Sequence, residues 1–480
     1  MIKFSNLLRE GAKENAALDY LQQLVQSGPF KGRVYLAGGA VRDMQLGKDP
    51  KDLDVVVTGG LNAGMDFAKW ATQTMGNASD GNPVLFPTYG TAKFTLKGIQ
   101  HNGFDLSDVD IEAVATRKEK YTAGSRKPEV SAGDLEDDVH RRDFTVNSLL
   151  KDLTTGEILD LTGKGKEDIR RGIVQTPLNP DVIFTEDPLR MLRAVRFTMK
   201  YGWELPMFMI RALKRNAPQL KNISAERIRD EMDKMLVTGS PDRAIKLLRI
   251  TGLLNFIIPE FSAAYKMTQN VHHKRDVFGH TLDVLKGTNP VLLQRLMALF
   301  HDIGKTVTRS VTPTGVHFYG HEDAGADMTR DIMRRLKYPN ELIDAVVAGV
   351  QNHMKLKHGG DDAVKLSDKT LRKFKIALGD KLEDVLDVIH ADNTAHSEAS
   401  SMPNQIANVR SRLKSLESTT PSEPKLPITG GDLIAMGLKP GPVFSKILSA
   451  VTEKWYENPN ITKDQAMHIA KSIANSTPKK

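Results

Sequence analysis

The chain has 480 residues and no cysteine, which excludes disulfides, thiolate zinc sites and a cysteine nucleophile, and is compatible with a reducing cytoplasm. No apolar run approaches the roughly 18 residues that span a bilayer, and the first twenty residues, MIKFSNLLREGAKENAALDY, lack the apolar region of a signal peptide. The sequence is therefore read as cytoplasmic, with no membrane partner. A Walker-type phosphate loop and an internal repeat are also missing, which removes P-loop enzymes and solenoids from consideration. At this length one ordinary core does not suffice, and about three domains are expected. Lysine and arginine number 67 against 59 for aspartate and glutamate, a difference of 67 − 59 = 8 that permits a polyanionic partner without requiring one.

What is present is organised around Val34 to Gly60, VYLAGGAVRDMQLGKDPKDLDVVVTGG. A short apolar run breaks at Gly38 and Gly39 and continues into Ala-Val-Arg-Asp, which reads as strand, turn and helix start. Glycine lets backbone N–H groups approach a phosphate, the helix start adds a positive end, and Arg42 supplies a fixed cation. Asp52 and Asp54 open the run Val55-Val56-Val57, and residues two apart on a strand share a face. Two converging carboxylates beside a phosphate turn suit a pair of Mg²⁺ ions and phosphoryl transfer, so Asp52 and Asp54 are the expected catalytic metal ligands.

Before this stretch, residues 1–30 read as an amphipathic helix with Leu18, Leu21 and Leu24 facing the core. After it, Asn62 to Met75 has helical composition, and Val84–Leu85, Ala92–Leu96 and Val109–Ala115 read as strands, giving a small mixed sheet with helices on one side. On the third strand either Asp110 or Glu112 could add a carboxylate to the metal site, a solvent-facing acid being the alternative. The polar stretch Thr116 to Asp138 reads as a mobile loop. In His140-Arg141-Arg142-Asp143-Phe144-Thr145-Val146-Asn147 the arginines offer donors for a triphosphate, and aspartate and asparagine offer partners for a ribose hydroxyl. Thr185 is the expected N-cap of a helix whose first turn holds Glu186, Asp187 and Pro188. That places Asp187 and Arg190 on one helix face, with Arg193 and Arg196 continuing the stripe.

GGAVRDMQLGKDPKDLDVVV resembles the head signature of class II tRNA nucleotidyltransferases, the CCA-adding enzymes, and of bacterial poly(A) polymerases, within the polymerase beta superfamily. RRDFTVN resembles that family's second motif, which implies nucleotide contacts for Arg142, Asp143 and Asn147. DLTGKGKEDIRRGIVQT resembles its head-to-neck connection, and EDPLR resembles its EDxxR motif, which implies base recognition by Asp187 and Arg190 with Arg193 and Arg196 in register. Arg117, Glu119 and Tyr121 resemble its flexible loop, and SAERIRDEMDKML resembles a structural motif of its neck, with Leu247, Leu248 and Leu254 as core candidates further on.

A second constellation begins at His272. His280, the pair His301-Asp302 and Asp392 follow the order H, HD, D of the HD phosphohydrolase superfamily, and the mixed nitrogen and oxygen donors suit a divalent transition metal. His321 and His353 could extend it to a second metal, or only line the cleft or cap helices. Such a domain resembles the one appended to certain bacterial CCA-adding enzymes and implies phosphatase or cyclic phosphodiesterase activity. Residues 401–427 have linker composition, and ITGGDLIAMGLKPGPVFSKILSAV resembles the family's tail, two short helices around GLKPGP.

The resemblance implies an α/β polymerase-beta-like head with a mixed sheet, followed by a mainly helical neck, HD-bearing body and tail, over 1–165, 166–260, 261–400 and 401–480. It implies tRNA, CTP and ATP as partners and addition or repair of the 3′ CCA. The rivals are a poly(A) polymerase, a partial-CCA-adding enzyme, and an HD hydrolase with an RNA-binding head.

Overall fold

The computed structural model describes residues 11–76, 79, 81–120, 129–269, 273–416 and 425–476. They fall into two compact units, one running to Ser224 with Ile250–Phe256, the other comprising Ala225–Arg249 and the chain from Ile257 onward. The stretch expected as the neck is thus shared between them. Among the described residues no helix is long and apolar enough to cross a membrane.

In the first unit α1 (Ala12–Gln26) buries Leu18, Leu21 and Val25. Leu24, expected in that stripe, stands only half-buried because the 3.6-residue period carries the face on to Val25. Then follow β1 (Val34–Ala37), α2 (Gly39–Gln45), β2 (Leu53–Val57), α3 (Ala63–Met75), β3 (Val84–Phe86), β4 (Thr91–Thr95), a hairpin of β5 (Gln100–His101) and β6 (Phe104–Asp105), and β7 (Asp110–Ala115). Beyond them lie β8 (Arg117–Lys120), β9 (Glu129–Ala132), α4 (Leu135–His140), β10 (Leu150–Asp152) and β11 (Ile158–Leu159). Seven of the strands form one sheet in the order β11-β10-β1-β2-β7-β4-β3. Only β2 and β7 pair in parallel, so the sheet is mixed. Helix α3 packs on β2, β4 and β7, with Phe67, Ala68 and Ala71 buried. Helices on one side alone do not describe the head. Val139 of α4 joins Tyr35, Ala37, Val56 and Leu150 in a smaller cluster, which includes the alternate β2 position Val56.

The stretch expected to be a mobile loop is ordered on both flanks. Strands β8 and β9 pair antiparallel from Arg117↔Ala132 to Lys120↔Glu129, and Asp134 and Asp137 close a capping box on α4. Glu119 fixes this hairpin by pairing with both Arg117 and Arg141, which loop composition alone could not reveal. Tyr121 lies outside the described residues.

The unit ends with α5 (Gly165–Arg171), α6 (Pro180–Glu186), α7 (Leu189–Tyr201) and α8 (Met207–Asn216). Here one expectation fails. Thr185 lies inside α6, and Asp187 sits between two helices with extended backbone, φ −139° and ψ 98°. The physical reason is Pro188, whose ring disfavours the helical region for the residue before it, so the helix breaks at Asp187. Asp187 and Arg190 therefore do not share a helix face. The Asp187 carboxylate instead accepts from the Leu189 N–H at the start of α7.

The second unit is helical. It opens with α9 (Ala225–Leu236) and α10 (Pro241–Ile250), where Leu248 is buried and Leu247 half-buried; Leu254, buried, belongs to the first unit. The body comprises α11 (Val277–Gly287), α12 (Leu292–Phe300), α13 (Lys305–Thr308), the hairpin β12 (Ser310–Thr312) and β13 (Gly315–His317), α14 (His321–Arg335), α15 (Asn340–Asn352), α16 (Asp368–Leu378) and α17 (Leu382–Thr394). Where linker composition was read, α18 (Gln405–Leu416) forms and buries Ile406, Val409, Leu413 and Leu416. Those four apolar residues recur at helical spacing within a polar background, and Gln405 is buried as a donor to the Leu356 and Gly360 carbonyls. The tail has three helices, α19 (Gly430–Ala435), α20 (Pro442–Glu457) and α21 (Lys463–Ser476), around Ile428, Leu433, Ile447, Val451, Ala466 and Ala470.

Candidate functional site

In the head, β1 ends at Gly38, whose backbone takes φ +68° and ψ −130°, a conformation open to glycine and not to a residue with a side chain. A Cβ there would stand 3.3 Å from Nη1 of Arg142, so this guanidinium lies directly on the glycine turn. Arg142 is braced by Asp138, whose Oδ2 accepts from Nε at 3.1 Å and Nη2 at 2.8 Å, while Nη1 reaches the Asn147 carbonyl at 3.3 Å. Asp138 is fully buried. Burial opposes its charge, but Arg142 and Arg141 beside it hold its carboxyl below the usual range. Asp138 of α4 is not among the residues expected from the sequence, although it precedes Arg141 and Arg142 by three and four, the spacing that signals such pairs.

Asp54 lies on β2 opposite Glu112 of the parallel neighbour β7. Partial desolvation first, then the charges of Glu112 and Asp52, push its carboxyl up to about 6, with Arg142 acting in the opposite sense. Asp52 is exposed at the entrance to the same strand. Of the two acids left open on β7, Glu112 joins the cluster. Asp110 is taken up by Lys93 at 2.7 Å and Thr95 at 2.6 Å. Asp52, Asp54 and Glu112 thus lie near enough for their charges to act on one another, and negative charge collects at this strand pair.

The remaining head residues form one network. Asn147 accepts from Arg42 Nη1 at 2.6 Å and donates to Asp143 at 2.8 Å, and Asp143 accepts from Arg193 at 2.6 Å. Burial opposes the charge on Asp143, yet Arg193 and Asn147 hold its carboxyl below the usual range. Arg42 is buried, bonded to Asp43, and lies over the rings of Phe197 and Tyr201. Arg196 also lies over Phe197. The structure thus joins the glycine helix, the RRDFTVN turn and α7, with Arg142 against Gly38 and Arg42 against Gly39, where a Cβ would stand 3.4 Å from its Nη2. Arg190, buried, donates to the Arg141 carbonyl at 2.7 Å and to Glu186 at 3.1 Å, which ties α7 to the same turn.

A second centre lies in the body. His280 from α11, His301 and Asp302 after α12, His321 starting α14, His353 ending α15 and Asp392 on α17 are all buried and converge. His280 Nε2 is 3.0 Å from Asp392 Oδ1 and 3.7 Å from Asp302 Oδ2, and His301 Nε2 is 3.2 Å from the latter. Lys305 and Lys357 lie on Asp302 and Asp392 at 2.6 and 2.7 Å. Burial disfavours charge on both acids, but Lys305 at Asp302 and Lys357 at Asp392 hold them well below the carboxylate range. Lys357 and His396 are not among the residues expected from the sequence; His396 lies just past the end of α17, its Nδ1 2.6 Å from the Asp392 carbonyl oxygen. His272 lies outside the described residues.

The approach of α14 depends on Gly304, where a Cβ would fall 2.1 Å from the His321 carbonyl oxygen and 2.5 Å from the Gly325 nitrogen. Gly304→Ala is expected to push the backbone apart and cost about 1–3 kcal/mol. A thermal melt of this variant equal to that of the parent would show that the contact is slack.

The glycine turn, the β2 carboxylates and the braced arginine fall within residues 34–175, which match the family model described as the poly A polymerase head domain, and they define a nucleotidyltransferase head. Residues 323–468 match tRNA nucleotidyltransferase domain 2. The A-adding tRNA nucleotidyltransferase of Deinococcus radiodurans is 30% identical over 427 residues, which cover 81% of this chain and 95% of that protein. The CC-adding tRNA nucleotidyltransferase of Thermus thermophilus is 28% identical, with 89% and 91% covered. The chain belongs to the tRNA nucleotidyltransferase family, class II, and that membership implies use of a divalent metal ion. In fold it is similar to the crystal structure of the Bacillus stearothermophilus CCA-adding enzyme in complex with CTP, with a TM-score of 0.64, 24% identity, and 97% and 99% of the two chains covered.

Proposed function

We propose that the head transfers cytidylyl and adenylyl groups from CTP and ATP to the 3′ end of tRNA in the cytoplasm, completing or repairing CCA. The observation that carries this reading is the carboxylate cluster of Asp52, Asp54 and Glu112 with Arg142 laid on the Gly38 turn. Asp52 and Asp54 would hold Mg²⁺, which when bound supplies a lowered pKa for the attacking 3′-hydroxyl and neutralises charge on the α-phosphate and departing pyrophosphate. Gly38, Gly39 and Arg142 receive the triphosphate. Arg42, Asp143, Asn147, Arg193 and Arg196 position the turn and α7 and complete the nucleotide pocket. The test is a tRNA lacking CCA incubated with CTP and ATP, separately and together, with the products sequenced. CTP alone is expected to add two residues and both nucleotides CCA; runs of A would make the protein a poly(A) polymerase.

A second reading, addition of only CC or only A, is favoured by the named activities of the two relatives above. It predicts products that stop at CC, or growth only on tRNA already ending in CC.

Base choice is assigned to Asp187 and Arg190. Cytosine and adenine each present an amino donor beside a ring-nitrogen acceptor, which a carboxylate and a guanidinium match, whereas uracil and guanine present the opposite polarity. Each mismatched contact costs ~1–3 kcal/mol, or roughly ten- to a hundredfold in discrimination. Arg190 is bonded to Arg141, Glu186 and Ile183 through Nη1 and Nη2, which leaves part of its five-donor fork for a base. Arg190→Ala and Asp187→Ala are expected to lower use of CTP and ATP and raise relative incorporation of UTP or GTP. Asp187→Ala also removes the cap on α7, so Asp187→Asn, which keeps that acceptor, separates base reading from folding. Wild-type selectivity in all three variants would move the templating role elsewhere.

In the body, His280, His301, Asp302 and Asp392 would bind a divalent transition metal that supplies hydroxide for hydrolysis of phosphate esters. The intact carboxylate cluster in the head argues against a hydrolase with a merely RNA-binding head. We accordingly assign a head over 1–165, a neck over 166–260, an HD body over 261–400 and a tail over 401–480.

A further inference from the structure

We propose that Lys48, Lys200 and the Tyr201 ring they share form a seat for a backbone phosphate of the RNA strand whose 3′ end the head extends. The inference rests on the reading of the head as a tRNA nucleotidyltransferase and adds a contact to the strand itself, outside the nucleotide pocket. Two elements bring the groups together. Lys48 lies in the turn after α2, where its backbone N–H donates to the Asp43 carbonyl at 2.9 Å, and Lys200 lies in the last turn of α7. Their ammoniums lie over the one ring of Tyr201, 5.5 and 5.1 Å from its centre, and the Arg42 guanidinium lies over it at 4.9 Å. The ring is held in place, stacked on Trp203 at 4.6 Å and 24°, with its hydroxyl donating to Asp43 at 3.4 Å.

Positive charge is in excess here. Asp43 is already claimed by Arg42 at 2.8 Å. Among the described residues neither Lys48 nor Lys200 makes an ion pair or a side-chain hydrogen bond, and both are exposed. Partial desolvation first, then the charge of Arg42, and further those of Arg196 and Lys48, hold the Lys200 ammonium below its ordinary value against the pull of Asp43. A lysine near a helix C-terminus is favourable by itself, so α7 accounts for Lys200. It does not account for Lys48, from another element, meeting it on one ring. Cation–π contact orients the ammoniums without neutralising them, and an anion joining such a group relieves the repulsion among them.

The kind of anion follows from chemistry and position. Ammoniums on exposed stems act as point charges and take a phosphate without reading a base, the mode in which proteins hold a nucleic-acid backbone. Lys48 precedes Asp52 by four residues, so the chain keeps the two within ~14 Å of each other. At ~3.4 Å of rise per nucleotide, that puts the seat a few nucleotides from the 3′-hydroxyl that must reach the β2 carboxylates. The triphosphate has its own cations at the glycine turn, Arg142 against Gly38 and Arg42 against Gly39.

The test is binding of a fluorescently labelled tRNA lacking CCA to the full chain over a range of KCl, together with steady-state addition kinetics. Each phosphate contact contributes roughly 0.7–0.9 to the slope with which log affinity falls against log salt. Lys48→Gln and Lys200→Gln should each reduce the slope by about that amount, weaken tRNA binding several-fold, raise the KM for tRNA and leave the KM for CTP at the parent value. Lys48→Arg and Lys200→Arg keep the charge and should keep the parent slope, so loss of slope in these variants overturns the proposal. A parent that adds nucleotides while both glutamine variants bind tRNA as it does overturns the seat and leaves the reading of the head standing. A raised KM for CTP with tRNA affinity unchanged gives the two lysines to the triphosphate or departing pyrophosphate and also overturns the seat. A parent that shows the expected slope changes but adds no nucleotide overturns the reading of the head and leaves the phosphate seat standing. A parent that neither binds nor extends tRNA overturns both.

Discussion

Asp52→Ala or Asp54→Ala abolishes nucleotide addition, with a loss on the order of a thousandfold or more, while tRNA binding and the fold persist. The size follows from what the carboxylates would do for a bound metal: each substitution removes several kcal/mol of charge stabilisation that no other group at the strand pair can restore, because Glu112 is anchored on the neighbouring strand opposite Asp54. The structure also separates this effect from stability. Although Asp54 is exposed, local desolvation at the strand pair, then Glu112 and Asp52, push its carboxyl up to about 6, so its ionised form is less favourable folded than unfolded. Stability from this group is present at low pH and lost as pH rises from the ordinary carboxylate range through about 6. At neutral pH without divalent metal, Asp54→Asn should therefore melt no lower than the parent while being inactive. A variant that keeps more than about a tenth of the parent's addition would refute the metal assignment.

On the hydrolase reading proposed for the body, His301→Ala or Asp302→Asn is expected to eliminate metal-dependent hydrolysis, for example of 2′,3′-cyclic nucleotides, and to leave CCA addition intact. Both residues are buried and contribute to one ligand set, so removing either is expected to cost as much as a head ligand does in its own reaction. Asparagine is the better substitution at Asp302, since alanine would leave the buried Lys305 ammonium, now 2.6 Å from that carboxylate, without its partner. Parallel assays on one preparation decide the matter. Equal loss of both activities in a folded variant would contradict independent centres.

The sequence located candidate groups wherever those groups are also neighbours along the chain. Gly38 and Gly39, the Asp52-Leu53-Asp54 run and the His301-Asp302 pair are local, and their strand, turn and helix-end settings follow from short-range backbone preferences and apolar period. Local rules also failed locally. The helix start expected at Thr185 ignored what Pro188 does to Asp187, and composition hid α18 because its apolar residues are few though correctly spaced.

What only the tertiary structure decided is partnership across sequence distance. The choice of Glu112 over Asp110 depends on the register of β2 against β7, and on Lys93 and Thr95 of β4 claiming Asp110. That Asn147 joins Arg42 to Asp143, and that His321 and His353 face the oxygen of Asp302 opposite to His301, depends on how strands and helices pack. Hydrogen bonds and ligand geometry act within about 4 Å, whereas sequence pattern specifies faces and periods but not which face meets which.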